Sequence, residues 1–354
     1  ARAASLDPSA RSVLDAVSVV PGRAEAWLVS ALCDQPHAAV DACIAAGVLA
    51  TDRATYAFRH ELARLAIEAD LADGLRRGLN QRAVDALSQR PDVDPARVAH
   101  HAEAAGDERA LAKSARDAFQ MAADRTAHRE AILHGERALA LRQFLSVDEV
   151  AQLHTKMAVS LMQLARGDEA ESLAHSACEH WHAAGNDRRE AEALLVWSTT
   201  LATLGNTEQS TTQLGRAVEI LQRYEPGAEL ALAYVRLTSA HMLAREHELA
   251  LEWGERAIAL ATRQDDAALL GRALIETGIA DVMDGRLDGL TRVRKGIDLG
   301  LQRDVPTLVA HGLAQIGTGC GELRLYEIAV PALIEGSDVA AQHNLEANRR
   351  YQVA

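Results

Sequence analysis

A small residue recurs at almost constant spacing along most of this chain: Ala138, Ala177, Ala217, Ala257, Gly296 and Gly336, with gaps of 39 or 40 residues. Seven residues before each stands another small one: Ala131, Ala170, Ser210, Ala250, Gly289 and Ala329. Three residues after each stands Leu141, His180, Ile220, Leu260, Leu299 or Val339, an apolar row broken once by histidine. Offsets of three and seven place these positions on one face of a helix, where small side chains let a neighbouring helix come close. A second apolar-periodic segment precedes each copy, as in residues 191–204 and 230–244. Such segments are closed by turn signals at Gly167-Asp168, Gly205-Asn206 and Gly285-Arg286. The unit is therefore a two-helix hairpin, and hairpins repeated at this spacing stack into an α-solenoid. The periodicity predicts one from about residue 95 to the end.

Composition narrows the function classes. The chain has 354 residues, with 37 Lys+Arg against 50 Asp+Glu and a formal net charge of −13. Such acidity excludes a surface built throughout for nucleic acid or an anionic membrane. No window approaches the roughly 18 consecutive apolar residues of a membrane span, and no signal peptide is expected. Cys33, Cys43, Cys178 and Cys320 are too scattered for a disulfide framework and form no C-x-x-C pair, which points to a reducing, cytoplasmic setting.

The first ninety residues read differently. Ser5-Leu6-Asp7-Pro8 starts a helix whose stripe is Val13, Leu14, Val17 and Val20. Further helices are predicted over Ala24–Cys33 and Pro36–Ala46. Val48-Leu49-Ala50, a turn at Thr51-Asp52-Arg53, and Thr55-Tyr56-Ala57-Phe58 predict a short β-hairpin. A long helix, Arg59–Leu71, follows with Leu62, Leu65, Ala66 and Ile67 as its apolar face. Three helices and a hairpin make a winged-helix arrangement. Its third helix carries no Lys or Arg, and residues 1–60 hold five Arg against six acids, so direct DNA contact is not expected. The expected fold class is all-α, a winged-helix head followed by a tetratricopeptide-like superhelix. The expected domains are a head over 1–72, a helical connector over 73–108 and repeats over 109–354.

The repeats resemble tetratricopeptide units. Glu248-Leu249-Ala250-Leu251 with Arg256-Ala257-Ile258, and Asp168-Glu169-Ala170 with Ala177, match the second helix of that motif. Gly278 and Gly317 match its small first-helix position, and Trp197 and Leu237 its apolar one. The period exceeds the usual 34 residues. The extra residues are expected between hairpins, at Gly185-Asn186-Asp187 and Gln264-Asp265-Asp266. The segment Tyr56-Ala57-Phe58-Arg59-His60-Glu61-Leu62-Ala63-Arg64-Leu65-Ala66-Ile67 resembles the close of the winged helix in STAND-class signal-transduction ATPases. Asp94-Pro95-Ala96-Arg97-Val98-Ala99-His100-His101 is similar to the entry to their repeats. Among these are LuxR-type, maltose-regulon-activator-like transcriptional regulators, and some are built around nucleotide-cyclase domains. The resemblance implies an ATPase, with its ATP, before Ala1 and an output domain after Ala354, and the chain's last residues read as a helix. The chain itself has no G-x-x-x-x-G-K-[ST].

Candidate chemistry is sparse. His60-Glu61 lacks the second histidine of a zincin motif because Arg64 stands there, so His60 is expected to be packed or hydrogen-bonded. His175, Cys178 and His182 have tolerable metal-ligand spacing, but Cys178 occupies an apolar repeat position, so no metal is expected. His100-His101 reads as helix packing. The acidic runs Glu169–Glu171 and Arg188–Glu192 read as solvated faces. No nucleophile–base set or paired carboxylates can be assembled, and no catalysis is expected.

The sequence therefore reads as the sensing region of a STAND/LuxR-type regulator that binds a small-molecule inducer or a protein or peptide partner. No nucleic acid, membrane or cofactor is expected in this region, and self-association is open. A scaffold region of a cyclase- or kinase-linked protein is the alternative, and an enzyme fragment a further rival. The tetratricopeptide frame maps Thr199, Thr203, Ser239, Met242, Thr318 and Glu322 onto the concave groove. Trp197 falls one layer behind it. The near-absence of charge at those positions implies a neutral or weakly polar ligand.

Overall fold

The computed structural model describes residues 6–33, 37–343 and 345. Ser5, Pro36 and the helix expected at Ala354 lie outside them. The chain divides into two compact units, Ala1–Leu153 and His154–Ala354.

The first unit begins with α1 (Pro8–Ser18), β1 (Ala24–Glu25), α2 (Ala26–Leu32), α3 (His37–Ala45), β2 (Leu49–Asp52), β3 (Thr55–Phe58) and α4 (Glu61–Asp70). Asp7 caps α1 by accepting from the Ala10 amide at 2.9 Å, and Pro8 fills the first turn, where no amide is needed. The strands form one antiparallel sheet in the order β1-β3-β2. Ala24 and Glu25, expected to be helical, instead pair with Tyr56 and Thr55 of β3. The β2–β3 turn is Arg53-Ala54, both residues left-handed, which matches the twist of a two-residue hairpin without using glycine.

On α4 the apolar face is not the expected one. Ile67 is buried, but Leu62 is 82% and Leu65 45% exposed, and Ala66 is exposed too. Arg64 goes inward instead. It donates to the Ser18 carbonyl and holds Glu61 and Glu68, each at 2.7 Å, so its charge is paired where it is buried. His60 is exposed just before α4 rather than packed.

The unit continues through α5 (Asp73–Ser88), α6 (Pro95–Ala105), α7 (Glu108–Asp124) and α8 (His128–Ala140). Leu79, Ala83 and Leu87 of α5 lie in the same core as Leu14, Leu28 and Leu49, so the packing runs on past residue 72. Arg97 of α6 grips Glu25 through two hydrogen bonds of 2.7 and 2.8 Å. His101 is 1% exposed, and its Nδ1 donates to Asn80 Oδ1 at 2.7 Å. Asn80 Nδ2 donates to the Arg76 carbonyl, which leaves Oδ1 facing the ring and fixes that tautomer.

Helix α9 (Val147–Gln163) leads into the hairpins of the second unit. They comprise α10 (Gly167–Ala183), α11 (Asp187–Thr203), α12 (Thr207–Leu221), α13 (Ala228–Leu243), α14 (His247–Arg263), α15 (Ala267–Met283), α16 (Gly289–Gln302), α17 (Pro306–Glu322) and α18 (Tyr326–Gln342). Left-handed residues punctuate the chain about every twenty residues: Ala165, Gly185, Gly205, Arg245, Asp265, Gly285, Asp304 and Arg324. They end helices in the manner of a left-handed C-cap. The signal read at Gly167 is thus displaced. The turn residue is Ala165, while Gly167 opens α10 against Leu204. The long period is also explained differently. The links at residues 184–186 and 264–266 are only three residues long, and the extra length lies in helices of up to 17 residues.

Every member of the two small-residue rows is buried. Ala217 and Ala257 are fully enclosed. Ala217→Leu and Ala257→Leu should each cost about 1–3 kcal/mol, because close-packed helices cannot absorb three added carbons. Denaturant melts that match the parent would place the row at the surface.

Candidate functional site

The stacking of the second unit defines an inner face. First helices touch in succession, α13 on α15 and α15 on α17, while α14, α16 and α18 make no comparable contact with one another. Closer packing on the first-helix side turns that side inward.

On this face, repeat-equivalent positions carry Arg236, Glu276 and Gln315, spaced by 40 and 39 residues. Glu276 stands alone among the acids in the apolar first three turns of α15 and is only 2% exposed. Three helices converge on its carboxylate. Ser239 Oγ of α13 donates to Oε2 at 2.8 Å. From α17, Gln315 Nε2 donates to Oε2 at 3.0 Å, and His311 Nε2 meets Oε1 at 2.7 Å. Burial pushes the carboxyl up, but His311, through its hydrogen bond and charge, outweighs it together with Arg272 and Ser239. The group is held below the usual carboxylate range.

This arrangement has a pH consequence. A carboxylate whose pKa is lower folded than unfolded stabilises the fold above about pH 4.5, and that contribution is lost as the pH falls through the folded value. Glu276→Ala should cost about 2 kcal/mol at neutral pH, since it strands Ser239, Gln315 and His311. The difference between parent and variant should shrink in melts below pH 4.5. A gap independent of pH would assign the loss to packing alone.

The mapped groove residues fare unequally. Ser239 belongs to the cluster. Thr199 is half-buried and donates to the Leu195 carbonyl, and Thr203 is exposed one turn later, bonded to the Thr199 carbonyl. Thr318 is exposed and bonded within its own helix, and Glu322 is exposed and paired with Arg245. Met242 is 5% exposed and packs in the core with Ile275 and Ile279, so it does not line the groove. Trp197 faces α10, where its Nε1 donates to Glu171 and its ring lies 4.6 Å from His175.

The face is also not uncharged, contrary to what those six positions suggest. Arg236, Arg272, Glu276 and His311 lie on it, and sequence reasoning passed over all four. The available signal was Arg236 and Glu276 at equivalent points of two first helices.

Other expected features resolve plainly. Glu190, placed in a solvated run, is 4% exposed and held by Arg216 and by His182 at 3.1 Å. Cys178 is buried, and burial pushes its thiol up to about 12. With His182 turned to Glu190 and His175 against Trp197, the residues of the considered metal set have separate partners. No group of three or more His, Cys, Asp or Glu suited to a metal occurs among the described residues. All four cysteines are free and buried. No described helix is long and apolar enough to cross a membrane. On the second-helix side, a depression of about 500 Å³ borders α16, α17 and α18, with Leu313, Ile316 and Ala332 in its lining. It lacks a hydrogen-bonded cluster drawn from several helices, and the inner face is the better candidate.

No protein-family model and no curated protein sequence matches this chain. Solved structures do. Aspartyl phosphate phosphatase F from Bacillus subtilis matches with a TM-score of 0.60 at 12% identity, over 78% of this chain and 74% of its own. A Rap protein complexed with competence and sporulation factor matches at 0.51 and 14% identity, over 82% and 89%. A STAND protein with a tetratricopeptide repeat sensor from Pyrococcus horikoshii aligns over 99% of this chain and 66% of its own at 12% identity, but its TM-score of 0.40 carries no conclusion. At these identities the likeness concerns fold alone. The chain is an all-α solenoid of tetratricopeptide-like hairpins.

Proposed function

We propose that this chain is the ligand- or partner-sensing region of a STAND/LuxR-type transcriptional regulator, acting in the cytoplasm and without catalytic activity of its own. The observation that carries the sensing role is the inner face, where side chains of α13, α15 and α17 converge on one buried carboxylate. A site assembled from three repeats reads the spacing of those repeats, so its occupant favours one curvature of the solenoid. An occupant moves such an equilibrium only by its differential affinity for the two states. The Rap neighbour, complexed with competence and sporulation factor, supports a binding role for this fold.

The regulator role rests on the sequence resemblance. In this reading, α1–α3 and the β2–β3 hairpin form a winged helix that relays binding to an ATPase. The exposed Leu62 and Leu65 on α4 suit contact with that module. The test is the gene together with its product. The reading frame should encode a P-loop ATPase ahead of this region and a basic helix-turn-helix after it, and ATP-dependent DNA binding by the product should respond to Thr203→Arg in the groove. A cyclase or kinase domain in their place, or DNA binding indifferent to that substitution, would replace the reading with a scaffold.

A further inference from the structure

The inner face carries more positive charge than its own carboxylate uses. Glu276 is engaged by Ser239, Gln315 and His311, and neither Arg236 nor Arg272 forms an ion pair with it. Arg236, on α13, directs Nη1 to the Leu195 carbonyl of α11 and meets no described carboxylate. Arg272 is exposed one turn before Glu276 on α15 and forms no hydrogen bond or ion pair through its side chain among the described residues. Burial, with the Arg272 charge second, pushes the Arg236 guanidinium down to about 10, so the two guanidiniums repel each other across the α13–α15 seam. In a chain of net charge −13, Arg216, Arg223, Arg245, Arg256, Arg286 and Arg292 of this unit each pair with an acid, whereas Arg236 and Arg272 form no such ion pair among the described residues.

We propose that Arg236 and Arg272 form a receptor for a carboxylate carried by the groove's ligand, either an acidic or C-terminal group of a peptide or a small organic acid. Planar guanidiniums hold carboxylates through paired N–H donors, and partial burial strengthens such bonds. Glu276, fixed beside the two guanidiniums, sets a negative charge next to any anion they bind. That suits a carboxylate better than a phosphate dianion, which Glu276 would repel more strongly. Glu276 cannot itself complete the pair while it is tied to α17. A bound carboxylate removes the repulsion between α13 and α15 and draws their first helices together, which links occupancy to curvature. This inference rests on the groove being the binding face, and it adds the chemistry of the ligand.

The test uses the 354-residue chain and defined probes. Glutarate is one. The others are two matched hexapeptide pools: one has Asp and Glu with a free C-terminus, the second has Asn and Gln with an amidated end. Calorimetry should show the acidic pool or glutarate binding about tenfold or more tightly than the neutral pool, with the advantage falling as salt rises. Glutarate alone binding would identify a small acid, and the acidic pool alone a peptide. Arg272→Gln changes an exposed residue and should leave the melting temperature intact while weakening binding about tenfold, and Arg272→Lys should restore part of it. Arg236→Gln should act the same way, with circular dichroism reporting its fold. Equal affinity for the two pools, no binding by either acidic probe at about 10 mM, or indifference to Arg272→Gln would overturn the receptor. If the neutral pool binds equally and Thr203→Arg abolishes that binding, the groove stands and only the carboxylate falls.

Discussion

Gly278→Leu should destabilise the second unit by about 3 kcal/mol or more, a shift of roughly 6–12 °C in melting temperature for a unit of this size. At the crossing of α15 and α16, a Cβ on Gly278 would stand 2.7 Å from the Gly289 carbonyl oxygen and 2.9 Å from the Val293 amide nitrogen. Those are backbone atoms, so no side-chain rotation relieves the clash and the helices must separate. Gly289 faces the same crossing from the other side, where its Cβ would come within 2.6 Å of Asp281 Cβ. Gly215 in α12 is the control, because a Cβ there meets nothing within 4 Å. Gly215→Ala should instead stabilise by up to about 1 kcal/mol, the helix-propensity difference between the two residues. Thermal melts of the three proteins decide the matter. Parent-like behaviour of Gly278→Leu would mean that α15 and α16 do not cross at these glycines.

Acidification should weaken the first unit through His101 well before carboxylates titrate. Burial, aided by the charges of His100 and Arg97, pushes this imidazole from 6.5 down to about 4. The folded protein therefore excludes a proton that the unfolded chain takes up, and stability falls as the pH drops through that window. The loss is on the order of 3 kcal/mol once the pH reaches 4. Amide exchange in α5 and α6 should accelerate steeply between pH 6.5 and 4 after correction for intrinsic rates. His101→Leu leaves Asn80 Oδ1 without its donor and lowers stability at every pH, but it should flatten that slope. An unchanged slope would show that the proton goes elsewhere.

The solenoid was legible in sequence because its signal is translational. Burial of Ala217 or Ala257 demands a small residue at one phase of the helix, and each copy of the repeat restates that demand. The glycines of the α15–α16 crossing belong to the same signal. Turn positions were less legible. Ala165, Arg245 and Arg324 adopt left-handed conformations that glycine would advertise, so Gly167 was mistaken for a turn residue that Ala165 supplies. On α4, apolar periodicity pointed to Leu62 and Leu65, whereas the buried position belongs to Arg64. The ion pairs to Glu61 and Glu68 that neutralise it are visible only once the helix is folded against Ser18.

The candidate site divides along the same line. Local sequence determined which residues share a helix face, and the tetratricopeptide frame mapped Thr199, Thr203, Ser239 and Thr318 onto one groove. Which polar groups meet was a tertiary matter. Ser239, Glu276, His311 and Gln315 come from three helices and are joined only when α13, α15 and α17 stack. Periodicity reports the angle of a side chain around its own helix axis, but not the distance between axes or the depth at which a chain ends. For that reason periodicity alone identified a solenoid, while the inward first-helix face came from the tetratricopeptide resemblance. The tertiary structure decided that Met242 is core, that Glu276 is a buried and satisfied carboxylate, and that Arg236 and Arg272 stand near it without an ion pair.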